Sequence, residues 1–275
     1  ELSNLTQRKA SRDVRPERGG VRMTVKTVFT RVLRRRRLAR MFAQLLLGAS
    51  TGTMLAVSPA LAQANQWTGA IDSDFGKGGN FSAGVPTGNV VVDFRANQPA
   101  VSGTSSVTSL TVQGAGTTFG IDKGATLNAD GVTVKTGASL STAGGTINSK
   151  GPLQVEGRAN LLYGATVNGG INAKSGSSVG VRESTINNGV NIDAGGSYSS
   201  LAAALNGGLT NAGSAALRTT SLTGNVVNQG AGTMSLEGSP FKDGGSLTNK
   251  DTAKLTITGN VDGISNFTNT GSATT

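Results

Sequence analysis

The stretch Val132–Gly208 decides the fold. It reads VTVKTGASLSTAGGTINSKG (Val132–Gly151), PLQVEGRANLLYGATVNGG (Pro152–Gly170), INAKSGSSVGVRESTINNG (Ile171–Gly189) and VNIDAGGSYSSLAAALNGG (Val190–Gly208). Each unit is about 19 residues long and closes on Gly or Asn, and a fixed period of this size marks a solenoid. The pattern continues less regularly through Leu209–Asn225, Val226–Gly245 and Ser246–Asn260, and Leu110–Gly131 fits as an earlier, longer coil.

Within each unit short apolar alternations recur: Val132/Val134, Leu153/Val155, Val190/Ile192 and Leu255/Ile257. Alternation with period 2 turns one side chain in and the next out, as a half-buried strand requires. The runs are too short for a free-standing sheet. Gly-Gly, Asn-Gly, Asp-Gly and Ser-Gly separate them and supply the positive φ of tight corners. Beyond Ala62 helical periodicity is confined to the short stretch Leu201–Leu205.

The expected fold is therefore all-β: a right-handed parallel β-helix with coils of about 19 residues, preceded by a helical signal peptide. Strands of successive coils would stack about 4.8 Å apart, giving a rod of roughly 40 Å. The rival is an antiparallel hairpin array, because Asn-Gly is also a hairpin turn. The near-constant period favours the solenoid. A disordered low-complexity chain is the other alternative, but disorder gives Val, Ile and Leu no reason to stay in phase.

Asparagines recur near the repeat ends, at Asn148, Asn168, Asn187, Asn188 and Asn206. Stacked at one corner they would form an amide ladder. Alternatively they serve only because Asn tolerates left-handed backbone. The sequence leaves both open.

The chain carries 25 Lys+Arg and 15 Asp+Glu, a net charge of +10, but residues 1–62 hold 13 of the cations and 3 of the acids. The remainder has 12 of each and is neutral. A nucleic-acid binder should carry its basic patch on the folded domain, so no nucleic-acid partner is expected. The chain has no Cys and no His. That removes disulfides, thiolate metal sites and the commonest general base.

The basic excess belongs to a leader. Arg31, Arg34–Arg37 and Arg40 form a positive segment, Phe42–Val57 is apolar, and Pro59 precedes Ala60-Leu61-Ala62, a small-x-small cleavage site. Ala62-Gln63-Ala64 offers a second site. The apolar run is short and rich in Gly, Ser and Thr for a membrane span, so a cleaved secretory signal is favoured over an anchor. With Met23 as the start, residues 1–22 are a disordered upstream extension, 23–62 the signal peptide, 63–109 an aromatic N-terminal cap with lead-in strands, and 110–275 the β-helix.

Trp67, Phe75 and Phe81 cluster at the front of the exported part, among turn signals at Asp72-Ser73-Asp74, Gly78-Gly79-Asn80 and Val85-Pro86-Thr87-Gly88. A solenoid end exposes apolar rungs and unpaired edges, which large aromatics can cover. Trp67, Phe75 and Phe81 are therefore expected to cap the helix. Stacking of Trp67 on a carbohydrate is the competing role.

The run Trp67-Thr68-Gly69, Asp74-Phe75, Gly79-Asn80-Phe81-Ser82 and Val85-Pro86 resembles the first segment of autotransporter (type V secretion) passenger domains. Those follow a signal peptide directly with a W-x-G, W, N-W, V-P pattern. Phe75 and Phe81 stand where that family has Trp. The repeats resemble the family's parallel β-helix passengers, and the resemblance spans residues 30 to 275. It implies export through the Sec translocon of a Gram-negative bacterium, then passage across the outer membrane behind a C-terminal β-barrel translocator. No such barrel strands occur here, and the chain stops at Thr274-Thr275 in mid-pattern, so the barrel is expected in a missing C-terminal part. Localisation is then the cell surface, the outer membrane or the medium, or the periplasm if the gene is truncated.

No catalytic constellation emerges. Acids are scattered at about one per coil, Asp72 and Asp74 read as turn residues, and Gly238-Ser239-Pro240 lacks a base. Gly114-Ala115-Gly116 is not followed by a phosphate-binding Lys, and no calcium nonapeptide repeat occurs. No cofactor or metal is expected. The expected function is non-enzymatic adhesion or cell-surface interaction with an unknown receptor or glycan. The alternatives are a β-helix enzyme acting on polysaccharide and a purely structural surface protein.

Overall fold

The computed structural model describes residues 63–93 and 97–274. The expected signal peptide and upstream extension, with the expected cleavage residues Ala60 and Ala62, lie outside them. Ala64 is half-buried immediately before the first strand, Asn65–Gln66.

The described residues form a parallel β-solenoid with three faces. In one representative coil the chain runs through Leu153–Val155 on the first face, Arg158–Leu162 on the second and Thr166–Asn168 on the third. It then begins the next coil at Ile171–Ala173. Every inter-strand pairing in these stacks is parallel, and the second face alone stacks ten strands. The coil length varies. Leu110 pairs with Val132, 22 residues on, whereas Asn211 pairs with Asn228, 17 residues on. The antiparallel array is thereby replaced by one continuous stack. Its columns reach back into the 63–109 segment, where Asn89–Val92 pairs with Ser109–Val112 and Ala100–Val101 with Gly120–Ile121.

The alternating residues point as their period requires. Val132, Val134, Leu153, Val155, Val190, Ile192 and Leu255 are buried in one continuous core, while Ile257 is only partly buried against it. Two nine-residue strands, Thr104–Val112 and Thr126–Val134, run from the third face into the first without a tight corner.

Leu201–Leu205 is not helical. Leu201 ends the strand Ser197–Leu201 and Ala204 begins Ala204–Asn206, with Ala202 at φ 51° between them. A helical turn there would break the pairings of Leu201 with Arg218 and of Leu205 with Leu222. Stacking thus overrides the helix preference of three alanines.

The corner between second and third faces carries a feature that glycine-based reasoning misses. Successive coils place Gly144, Tyr163, Glu183, Ala202, Thr219, Gly238 and Gly259 there, with φ of 80°, 51°, 48°, 51°, 48°, 51° and 68°. Four of these are not glycine. A left-handed residue with a Cβ costs about 1–2 kcal/mol, and a β-branched one is a true outlier. The backbone amides explain why it persists: Glu183 donates to the Leu201 carbonyl (2.9 Å), Ala202 to Arg218 (3.0 Å) and Thr219 to Glu237 (2.8 Å). Thr219→Gly is therefore expected to stabilise the fold by about 1 kcal/mol, after allowing for glycine's greater freedom when unfolded. Urea unfolding would show it, and a lowered midpoint would contradict it.

Charges are also ordered by stacking. Lys135, Glu156, Lys174 and Asp193 follow one another up a corner, with Lys135–Glu156 at 2.7 Å and Lys174–Asp193 at 3.0 Å. Neighbours in a parallel stack lie about 4.8 Å apart, so alternating signs avoid the repulsion that like charges would impose.

Candidate functional site

Trp67, Phe75 and Phe81 come together at the N-terminal end of the stack. Trp67 and Phe81 meet edge to face at 5.1 Å, as do Phe75 and Phe81 at 5.2 Å, and Trp67 stacks on Phe75 at 6.3 Å. Phe75 also meets Phe119 of the second face, edge to face at 5.0 Å, joining the cluster to the solenoid core. Trp67 is 1% exposed, so its ring has no face free for a sugar. Its Nε1 donates to the Asn97 carbonyl (2.8 Å), and Asn97 Nδ2 donates to the Gly69 carbonyl (2.7 Å).

The organiser of this end is Asn80, which the sequence marks as a turn residue within the run Gly79-Asn80-Phe81-Ser82. It is fully buried in a one-turn 3-10 helix, Gly78–Asn80. Its Oδ1 accepts from the amides of Ile71 (2.8 Å) and Asp72 (3.1 Å), while Nδ2 donates to Asp72 Oδ1 (2.8 Å) and the Asp74 carbonyl (3.0 Å). Asp72 and Asp74 are thus engaged in local turns, Asp72 Oδ1 accepting from the Asp74 amide and Asp74 Oδ1 from the Gly76 amide.

The Lys77 ammonium, the Asp74 amide and Asn80 Nδ2 together hold the Asp72 carboxyl at about 2. A carboxyl depressed in the folded state contributes above its unfolded value and loses that contribution as pH falls through the folded one. The emission of Trp67, the only tryptophan, is therefore expected to hold steady from neutral pH to about 4 and to change as pH approaches about 2. A transition centred above pH 5 would contradict this.

Two asparagine ladders run through the stack. The outer one lies on the third face. Asn148 Nδ2 donates to Asn128 Oδ1 (2.8 Å), Asn168 to Asn148 (2.7 Å), Asn187 to Asn168 (2.6 Å) and Asn206 to Asn187 (2.9 Å). Asn188 stands outside it at φ 67°, so the two alternatives fall on adjacent residues. Asn128 is an additional member. Beside it Thr104, Thr126, Thr146, Thr166 and Thr185 stack in register.

The inner ladder was not anticipated. Along one row of the first face, Val112, Val134, Val155, Ala173 and Ile192 give way to Asn211, Asn228 and Asn249, all fully buried. Asn211 Nδ2 donates to Asn228 Oδ1 (2.7 Å) and Asn228 Nδ2 to Asn249 Oδ1 (2.8 Å). The recurrent Thr210-Asn211, Val227-Asn228, Thr248-Asn249 and Thr268-Asn269 at strand ends was the available signal.

Among the described residues no group of three or more Asp or Glu gathers where a metal ion could sit, and no helix is long and apolar enough to cross a membrane. Shallow grooves lie on the faces. One of about 380 Å³ on the second face is floored in part by Gly180, Ser199 and Ala216. Another of about 620 Å³ follows the glycine corner at Gly189 and Gly208. The arrangement is that of a β-solenoid with extended polar faces and an aromatic end. Comparison with protein-family models, curated proteins and solved structures returned no match to the chain.

Proposed function

We propose that this chain is the non-enzymatic β-helix passenger of an autotransporter-like protein, exported through Sec and acting in adhesion at the cell surface. The observation that carries this is the surface itself: three exposed faces of register-locked Ser, Thr, Asn and charged side chains, presented on a rigid buried core. Such a surface suits many weak polar contacts along a line better than chemistry in a deep pocket. The leader and the Trp67–Phe81 segment support the export part of the proposal, and an outer-membrane β-barrel translocator is the partner it calls for.

The test is bead display. Beads carrying the full chain should adhere to target cells, and beads carrying a scrambled-sequence control should not. Equal adhesion by both would remove the adhesion role in favour of a purely structural one. Turnover in a polysaccharide screen, abolished by Asp→Asn changes, would make the chain an enzyme instead.

A further inference from the structure

The charges on the strands are segregated by face. Strands of the second face carry Arg158, Arg182, Arg218 and Lys254 against one carboxylate, Glu237. On the described strands of the other two faces the charged residues are Asp130 and Lys242. The second-face strands thus carry a cationic excess, and the acids that balance it lie mostly at the corners, Glu156, Glu183 and Asp193 among them. Packing does not ask for these cations. All four are exposed, and Arg158 and Lys254 have no ion-pair partner among the described residues.

The second-face groove lies among them. Gly180, Ser199, Ala216 and Ser235 stack in register along it. Arg182, Leu201 and Arg218 stack in register alongside. Two strand spacings put the arginines' backbone positions about 10 Å apart. Arg182 is held over the Tyr163 ring, its guanidinium carbon 5.4 Å from the centroid. Its bond to Glu183 (3.2 Å) and that of Arg218 to Glu237 (2.7 Å) are exposed pairs. Such pairs contribute little and yield readily to a competing anion.

Gly180 is the second, independent sign. It sits in the interior of Ser178–Arg182, where glycine weakens a strand and often marks a bulge, a bend, or close approach of a ligand or another backbone; the register is unbroken on both sides, which leaves no bulge here. The fold does not need glycine there. Its φ is not positive, and an added Cβ would meet only Asn160 Oδ1 at 3.5 Å and Ser199 Oγ at 4.0 Å, both ordinary contacts.

We propose that this groove binds an extended acidic oligosaccharide, its rings lying on Gly180, Ser199 and Ala216 and its carboxylate or sulfate groups paired with Arg182 and Arg218. The planar guanidinium suits both anions, which it can engage through two parallel N–H bonds. A peptide cannot join as an added strand, because each strand of this groove already pairs on both sides. A single-stranded nucleic acid would want aromatic stacking faces, and none of the lining residues is aromatic. The assignment names the ligand class for the adhesion role and rests on it.

The experiment is an amide-resolved NMR titration of the full chain, so that binding by the basic leader is read separately. A sulfated heparin octasaccharide and a carboxylated hyaluronan octasaccharide are the two probes, and the arm that binds tells sulfate from carboxylate. Saturable shifts are expected at Gly180, Ser199, Ala216 and Ser235. Affinity should fall at least tenfold in Arg182→Gln/Arg218→Gln. It should be lost in Gly180→Val, whose melting temperature should match or exceed that of the parent. Shifts confined to residues 1–62, no response to either probe, equal affinity for a neutral maltooligosaccharide or a single-stranded DNA of matched charge, or unaltered binding by both variants would each overturn the proposal. Gly180→Val beads separate the two levels. If they adhere to cells as well as the parent, adhesion stands and the groove falls. If parent beads fail to adhere, the adhesion role falls while the titration still judges the groove.

Discussion

Gly189→Ala is expected to destabilise the solenoid by about 3 kcal/mol. Gly189 turns the chain from the third face into the next coil at φ 80°, where an L-residue pays about 1–2 kcal/mol. Its added Cβ would also lie 2.7 Å from the Gly207 carbonyl oxygen and 3.0 Å from that of Gly208. The Gly208 oxygen cannot swing aside freely. The Gly208 carbonyl accepts from the Val190 amide at 3.1 Å, so relief would pull the coils apart. Overpacking of this kind costs about 1–3 kcal/mol, and the gain from a stiffer unfolded chain returns only about 0.4–1. Gly176→Ala is the control. It has nearly the same φ, 78°, but nothing within 4 Å of the added Cβ, so about 1 kcal/mol is expected. Equal losses in urea unfolding would show that crowding between coils contributes nothing.

Period and alternation were legible because one supersecondary unit recurs, and each recurrence must bury the same positions. The turn glycines were legible at Gly189 and Gly208 for the same reason. The opposite corner was not, because Tyr163, Glu183, Ala202 and Thr219 look like ordinary residues. Their left-handed backbone is imposed by the coils above and below, which no local signal records. Trp67, Phe75 and Phe81 stood out by rarity, whereas Asn80, which ties their loops together, looked like one more turn asparagine. The cationic second face was hidden for a geometric reason. Its charges occur at most one per strand, at either end, and only the stacking register brings Arg182 and Arg218 to one side of a groove.

Asn228→Ala is expected to cost about 4 kcal/mol, although Asn168→Ala, in the outer ladder, should cost less than about 1. The two residues make similar bonds. Asn228 Nδ2 donates to Asn249 Oδ1 at 2.8 Å and Asn168 Nδ2 to Asn148 Oδ1 at 2.7 Å. The difference is solvent. Asn168 is half-exposed on the third face, and water can take over its partners' bonds. Asn228 is fully buried, and it also donates to the Lys254 carbonyl at 2.9 Å and accepts from Asn211 at 2.7 Å. Alanine would strand these groups away from water, at about 1–3 kcal/mol for each left unsatisfied, and open a void besides. Asn211→Val/Asn228→Val/Asn249→Val restores the apolar row that Val112, Val134 and Val155 fill in earlier coils and removes both sides of the Asn211–Asn228 and Asn228–Asn249 bonds, while the Gly213 amide and the Thr233, Lys254 and Ser272 carbonyls keep only their backbone or solvent partners. It should cost less than Asn228→Ala alone, because an unmade bond is penalised more than a bond removed from both sides. Should the triple variant prove the less stable, the inner amides would be supplying net stability. If it is the more stable, their place is explained by register: Asn211, Asn228 and Asn249 bond one another only when their coils stack in this order, and so favour one pairing of these strands.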